Sequence, residues 1–306
     1  MKRVLILGHA GFSGRYMTRY LQQIPGISLF GADLNKSGTI QEYQEDLTKF
    51  NSMNRIIERI KPDLVINLSG LIHSEDSGRI YASNVLPVIN AIQSLAHNGL
   101  SGTGLLVISS ASVYGDSGVC PIQEENTVRP VNIYGASKLA MEQLLPVLGG
   151  DNKLRIMVAR TFNLIGPGLA ESLSIPSFIR QLIQIGKQNA DPVIRAGNLN
   201  PARDYIDIRD AVKAYWKITL EGKPGEIYNV GSGKSVKMQE ILDSLIALSG
   251  IKVSIVTDQT RVRKNEIMNS QADIKKIMGL GWLPEIDLGQ SLRDMFDYYQ
   301  QGKQVL

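Results

Sequence analysis

The sequence predicts an α/β protein built on a Rossmann-type doubly wound parallel sheet, with a smaller C-terminal α/β substrate lobe. Three observations carry that reading. Short apolar runs alternate with longer helical patterns through the first half of the chain, the first run opens into a glycine-rich turn, and the alternation loosens after Gly166-Pro167-Gly168.

The run Val4-Leu5-Ile6-Leu7 reads as a strand, and it leads through Gly8-His9-Ala10-Gly11-Phe12-Ser13-Gly14 into a helix-like stretch ending at Leu21. Gly8, Gly11 and Gly14 suit a backbone that turns tightly, approaches a pyrophosphate without side-chain obstruction, and packs its helix close to the strand. The helix N-terminus then faces the phosphates. The next strand, Ile27 to Ala32, is closed by Asp33. A carboxylate there accepts hydrogen bonds from the adenosine ribose hydroxyls and repels a 2′-phosphate. NAD(H) is therefore the preferred cofactor, while Lys36 and Arg15 close by leave NADP(H) open.

Further strands are expected at Asp63 to Leu68, Leu105 to Ser109 and Leu154 to Ala159, with helices at Asn51 to Ile60, Ile80 to His97 and Asn132 to Leu148. Ligands of such sheets sit beyond the carboxyl ends of the strands. Gly8, Asp33, Ser69-Gly70, Ser110 and Phe162-Asn163 all fall there. Beyond residue 168 a helix is expected from Ser172 to Ile185 and a short strand near Pro192 to Arg195. A helix from Ile208 to Leu220 and a strand from Glu226 to Val230 can rejoin the sheet. The expected division is 1–165 plus about 205–230 for the dinucleotide-binding domain, and 166–204 plus 231–306 for the nucleotide-sugar-binding lobe.

Composition narrows the function classes. A chain of 306 residues, 43% hydrophobic and 20% charged, folds as an ordinary globular protein without staples. Cys120 is the single cysteine, which excludes an intrachain disulfide, and its place beside Pro121 gives no reason to make it catalytic. The formal charge of +4 is scattered among acids, so no nucleic-acid partner is expected. No segment approaches the roughly 20 apolar residues that cross a bilayer, so no membrane role and a cytoplasmic location are expected. His9, His73 and His97 are not spaced as metal ligands; each is read as a satisfied loop or helix residue, and no metal site is expected.

The chemistry is carried by Tyr134-Gly135-Ala136-Ser137-Lys138, following the run Ser109-Ser110-Ala111-Ser112-Val113-Tyr114. Residues four apart share one face of a helix. The ammonium of Lys138 is expected to favour phenolate and bring Tyr134 down from about 10 toward the working pH. A phenol so tuned exchanges protons with a sugar hydroxyl.

With these motifs in this order, and with Arg160-Thr161-Phe162-Asn163 and Arg203-Asp204-Tyr205 after them, the chain resembles the extended short-chain dehydrogenase/reductase family, of the NAD-dependent epimerase/dehydratase type, over its whole length. Within the family the likeness is to reductases of GDP-linked 4-keto-6-deoxymannose. It rests on Gly166-Pro167-Gly168, the segment Pro192 to Leu199, the segment Gly225 to Lys234, and Thr260-Arg261-Val262-Arg263.

The resemblance implies that Tyr134 is the general acid/base, that Lys138 modulates it and holds the nicotinamide ribose, and that Ser110 hydrogen-bonds the reacting oxygen. It places Gly8, Gly11, Phe12, Ser13, Gly14, Asp33, Asp46, Leu47, Leu68, Ser69, Gly70, Asn84 and Phe162 at the cofactor, with Tyr134 and Lys138. It places Ser110, Ser112, Asn163, Arg195, Arg203 and Arg263 at the nucleotide sugar, the arginines suiting a diphosphate. Dehydratases of this family carry an acidic residue where this chain has Ser112, so dehydration is not expected.

The resemblance thus implies an NAD(P)H-dependent reductase making an activated deoxysugar for surface polysaccharide, acting as a homodimer through the helices at Ile80 to His97 and Asn132 to Leu148. A 4-epimerase or 4-dehydrogenase with tightly held NAD, or a reductase of a dTDP or CDP sugar or a heptose, uses the same residues. A redox-silent cofactor-binding protein has no need to keep Ser110, Tyr134 and Lys138 together.

Overall fold

The computed structural model describes residues 1–151, 153–187, 191–262 and 266–302. In chain order the elements are β1 (Lys2–Leu7), α1 (Phe12–Gln22), β2 (Ile27–Asp33), β3 (Gln41–Gln44), α2 (Phe50–Ile60), β4 (Leu64–Asn67), α3 (Ser77–His97), β5 (Gly104–Ser110), α4 (Ile133–Asp151), β6 (Arg155–Thr161) and β7 (Asn163–Ile165). There follow α5 (Ser174–Gly186), β8 (Val193–Ala196), β9 (Ala202–Asp207), α6 (Ile208–Glu221), β10 (Ile227–Val230), β11 (Ser235–Lys237), α7 (Met238–Ser249), β12 (Ser254–Thr257), β13 (Asn269–Ser270), α8 (Lys275–Met278) and α9 (Leu288–Gln300).

Among the described residues, seven parallel strands make one sheet in the order β10-β6-β5-β4-β1-β2-β3. Its central strands carry continuous apolar runs, such as Val4 to Leu7 and Leu105 to Ile108, because both faces are covered. Along β1 the side chains alternate: Val4 and Ile6 pack with α1 and α6, while Leu5 and Leu7 pack with α2 and α3. Each fully buried leucine contributes about 2 kcal/mol of hydrophobic stabilisation. The order reverses on either side of β1 and β4, which places the crevice for ligands at the carboxyl ends of these strands.

β10 takes the edge beside β6, so the run from Glu226 to Val230 does rejoin the sheet. A separate apolar cluster gathers Ile165, Phe178, Leu182 and Ile194 with Ile241, Leu245 and Leu292, from β7, α5, β8, α7 and α9. Around it lie a small sheet in which β9 pairs with β7, β11 and β13, and a ribbon of β8 with β12. Among the described residues no helix is long and apolar enough to cross a membrane.

Candidate active site

The glycine turn begins where β1 stops. Gly8 has φ +80°, and a Cβ there would lie 2.6 Å from the Ser69 amide nitrogen beyond β4. A Cβ on Gly14 would lie 2.1 Å from the Gly8 carbonyl oxygen, so helix and strand approach this closely only with glycine at both positions. Gly11 is the exposed N-cap of α1 and provides no side-chain cap, which leaves the first-turn N–H groups of Phe12, Ser13 and Gly14 open to an anion. This bare cradle fits a dinucleotide pyrophosphate.

Asp33, half-buried at the end of β2, accepts from the Ala10 amide at 3.2 Å and from the Asn35 amide at 3.2 Å, which fixes its carboxylate beside the turn. A pocket next to it is lined by Arg15, Arg19 and Lys36 with Ser37 and Thr39. Asp46 caps the Thr48 amide at 2.9 Å, and the Leu47 side chain packs into the core under α2 and α3. Leu68 and Ser69 lie partly buried where β4 ends.

At the other end of the crevice, Ser110 closes β5 and Tyr134 stands in the first turn of α4, with Lys138 one turn on. The Ser110 side chain neighbours the Tyr134 phenol and favours its ionised form, and Ser110 Oγ lies 3.2 Å from Ser112 Oγ. Lys138 is buried and donates from Nζ to the Ile108 carbonyl at 2.8 Å. Burial brings Lys138 down to about 8, against the opposing pull of Glu142 one turn further along α4. Asn84 on α3 braces the start of α4: its amide donates to the Leu71 carbonyl at 3.0 Å and to Ser137 Oγ at 2.9 Å. Ser137 Oγ in turn donates to the Tyr134 carbonyl at 2.7 Å. Gly70 completes the contact, since a Cβ on it would lie 2.4 Å from Asn84 Oδ1 and 3.4 Å from Lys138 Nζ.

One expectation changes here. The Tyr134 phenol is pushed up, not down, because burial disfavours phenolate more than the neighbouring Ser110 hydroxyl favours it. Lys138 Nζ stands 6.0 Å from the centre of the tyrosine ring, and one of its donors is engaged by the Ile108 carbonyl.

Toward the second apolar cluster, Asn163 Nδ2 donates to the Asp204 carbonyl at 3.1 Å, and Arg203 is partly buried on the adjoining strand β9. Arg195 is exposed on the separate ribbon β8. The Phe162 side chain faces inward, packed with Val113, Tyr114 and Ile122, so only its backbone borders the crevice. Arg263 lies outside the described residues.

Sequence reasoning missed two buried acids. Glu142 receives Arg160 through Nη2 at 2.7 Å and Nε at 3.1 Å and accepts a short hydrogen bond from Ser109; the Arg160 guanidinium also sits 4.8 Å from the centre of the Tyr114 ring. The i, i+4 spacing of Lys138 and Glu142 was the available signal. Glu42 is the second, and its partner His9 is wholly buried with no aligned hydrogen bond at either ring nitrogen, so the reading of His9 as a satisfied loop residue is corrected. Among the described residues no cluster of three or more His, Cys, Asp or Glu can hold a metal ion.

Residues 4–231 match the model of the NAD dependent epimerase/dehydratase family. The chain is 33% identical to GDP-6-deoxy-D-mannose reductase of Pseudomonas aeruginosa over 95% of both chains. It is 26% identical to GDP-6-deoxy-D-talose 4-dehydrogenase of Aggregatibacter actinomycetemcomitans, over 91% of this chain and 90% of that one. A solved structure of RMD from Pseudomonas aeruginosa complexed with NADPH superposes with a TM-score of 0.88 and 30% identity, covering 99% of this chain and 100% of that one.

Proposed function

Because the chain belongs to the NAD dependent epimerase/dehydratase family, we propose that this NAD(P)-dependent oxidoreductase reduces the C4 ketone of a GDP-linked 4-keto-6-deoxy sugar to the hydroxyl. The observation that carries the reading is the gathering of Ser110 at the end of β5 with Tyr134 and the buried Lys138 on the first turns of α4, the Tyr134 phenol being pushed up by burial. A phenol held above its ordinary value stays protonated at neutral pH, which suits a group that gives a proton away.

When bound, the nicotinamide supplies the hydride that becomes the new C4–H bond. As charge builds on the former carbonyl oxygen, Ser110 donates to it and Tyr134 transfers its phenolic proton, so the product leaves as an alcohol. Lys138 holds positive charge beside the phenolate that remains. Asn84 and Ser137 hold α4, and with it Tyr134, in place. Ser112 offers no acid for removal of a C6 hydroxyl, and Glu142 is taken up by Arg160 and Ser109, which supports reduction over dehydration.

Asp33 favours NAD(H), and the neighbouring Arg15, Arg19 and Lys36 admit the 2′-phosphate of NADP(H). The similarity to a reductase and to a 4-dehydrogenase of GDP-deoxysugars supports the GDP-linked substrate. In this reading residues 1–165 with about 205–230 hold the cofactor, and 166–204 with 231–306 hold the nucleotide sugar through Asn163, Arg195, Arg203 and Arg263. The exposed Tyr81, Ile133 and Val147 on α3 and α4 support a homodimer through these helices.

Purified protein incubated with NADH or NADPH and a panel of 4-keto-6-deoxy sugars linked to GDP, dTDP or CDP tests the proposal. Oxidation of the cofactor with the GDP sugar and formation of its 4-hydroxy product is the expected result. No oxidation with any ketone overturns the reductase reading, and cofactor reduction by a GDP-6-deoxyhexose alone makes the protein a 4-dehydrogenase.

A further inference from the structure

His9, Gly31 and Glu42 lie in line from the glycine turn across β2 to β3, and the proton and hydride chemistry uses none of them. His9 belongs to the glycine turn after β1, and its ring crosses β2 at Gly31, where an added Cβ would lie 2.5 Å from His9 Cγ. Gly31 pairs in register with Glu42 of β3. Glu42 Oε1 lies 3.3 Å from His9 Nε2, with 0% and 6% of the histidine and glutamate side chains exposed, so the pair is held out of water.

The same carboxylate gathers the loop that follows β2. It accepts from the Ser37 amide at 3.1 Å and from the Thr39 amide at 3.3 Å, and the Ser37 hydroxyl makes a short hydrogen bond to it. Burial opposes ionisation, yet the Ser37 hydroxyl and the backbone N–H groups of residues 37 to 39 bring the carboxyl down to about 2, so it is an anion at any working pH. Gln22 of α1 donates to the Thr39 carbonyl at 3.0 Å, tying the loop to the helix that the glycine turn begins.

An apolar residue at position 42 would fill the space without the cost of desolvating a charge. What the ion adds is a fixed relation between the 37–39 loop and the glycine turn, the two walls of the pocket beside Asp33.

We propose that Glu42 is a positioning residue which, through His9 and the room left by Gly31, locks the 37–39 loop against the glycine turn and so shapes the site for the adenosine ribose end of the cofactor. The inference rests on the reading of the glycine turn as the cofactor cradle.

Calorimetric titration of the full chain with ADP-ribose and with NADH tests it, in wild type, Glu42→Gln and Gly31→Ala. Glu42→Gln removes the charge and keeps the volume. Gly31→Ala keeps both partners and drives a methyl into the imidazole. Both variants are expected to weaken ADP-ribose and NADH by the same factor, about tenfold. Melting of the ligand-free variants within about 4 °C of wild type shows that they fold. Unchanged ADP-ribose affinity in either folded variant overturns the proposal, as does a fall in melting temperature with no change in affinity. Failure of the wild type to bind ADP-ribose overturns both this inference and the cradle on which it rests; binding by wild type with unaffected variants overturns this inference alone.

Discussion

Replacing Lys138 by methionine should stabilise the folded protein at neutral pH while disabling it. Burial takes the ammonium from 10.5 in the open chain to about 8 in the folded one. Between those values the unfolded chain holds a proton that the folded chain has released, so the contribution of this group to stability rises with pH across that window and the full penalty is present below about 8. At about 1.4 kcal/mol for each pH unit the penalty is about 3 kcal/mol. Methionine removes it, but leaves the Ile108 carbonyl without the donor it has at 2.8 Å, a loss of about 1 kcal/mol. The net expectation is a gain of about 2 kcal/mol at pH 7, shrinking toward zero or reversing by pH 10. Urea unfolding of both proteins at pH 7 and pH 10 measures it. A variant less stable than wild type at pH 7, or a difference that does not change with pH, refutes the account of Lys138 as a charge held in the site against its solvation.

Three other outcomes are expected. Tyr134→Phe should lower kcat by about 10²- to 10³-fold and leave the affinity for NADH within about twofold, measured by stopped-flow turnover and fluorescence titration. Glu142→Gln strands the Arg160 guanidinium that it meets at 2.7 Å, and should destabilise the fold by about 3 kcal/mol in denaturant titration. Asp33→Asn removes the charge beside the pocket of Arg15, Arg19 and Lys36, and should raise the ratio of NADPH to NADH affinity by about tenfold; an unchanged ratio would show that Asp33 does not select the cofactor.

The strands of the central sheet were legible because they are apolar on both faces, and β1, β2, β4, β5, β6 and β10 were each expected within a few residues of where they lie. β3 was not expected: Gln41-Glu42-Tyr43-Gln44 is polar, as a strand at the edge of a sheet can be. β9 was hidden by Arg203 and Asp204, whose charges hide an inner strand. Asp204 is wholly buried because the amides of Ser232, Gly233 and Ala272 donate to it, partners that lie far along the chain.

The site divides along the same line. The glycine turn, Asp33, Ser110, Tyr134 and Lys138 each belong to a local pattern, so the sequence placed the first three at strand ends and the last two one turn apart on a helix. The pairing of His9 with Glu42, and of Glu142 with Arg160, depends on which elements of the fold become neighbours, and no window of sequence displays it. The direction of the Tyr134 shift was misjudged for a related reason: spacing gives the distance to a charge, while the depth of burial comes from the whole fold.

The last strand of the parallel sheet is delivered late. A ribosome that has made everything through β6 has produced a sheet whose border still lacks β10, with the Tyr114 hydroxyl waiting for the Asn229 side chain that it meets at 2.7 Å. Before Asn229 emerges, the chain must spell out α5, β8, β9 and α6. Cutting the polypeptide after residue 165 would therefore yield an open-edged fragment prone to stick to its own kind.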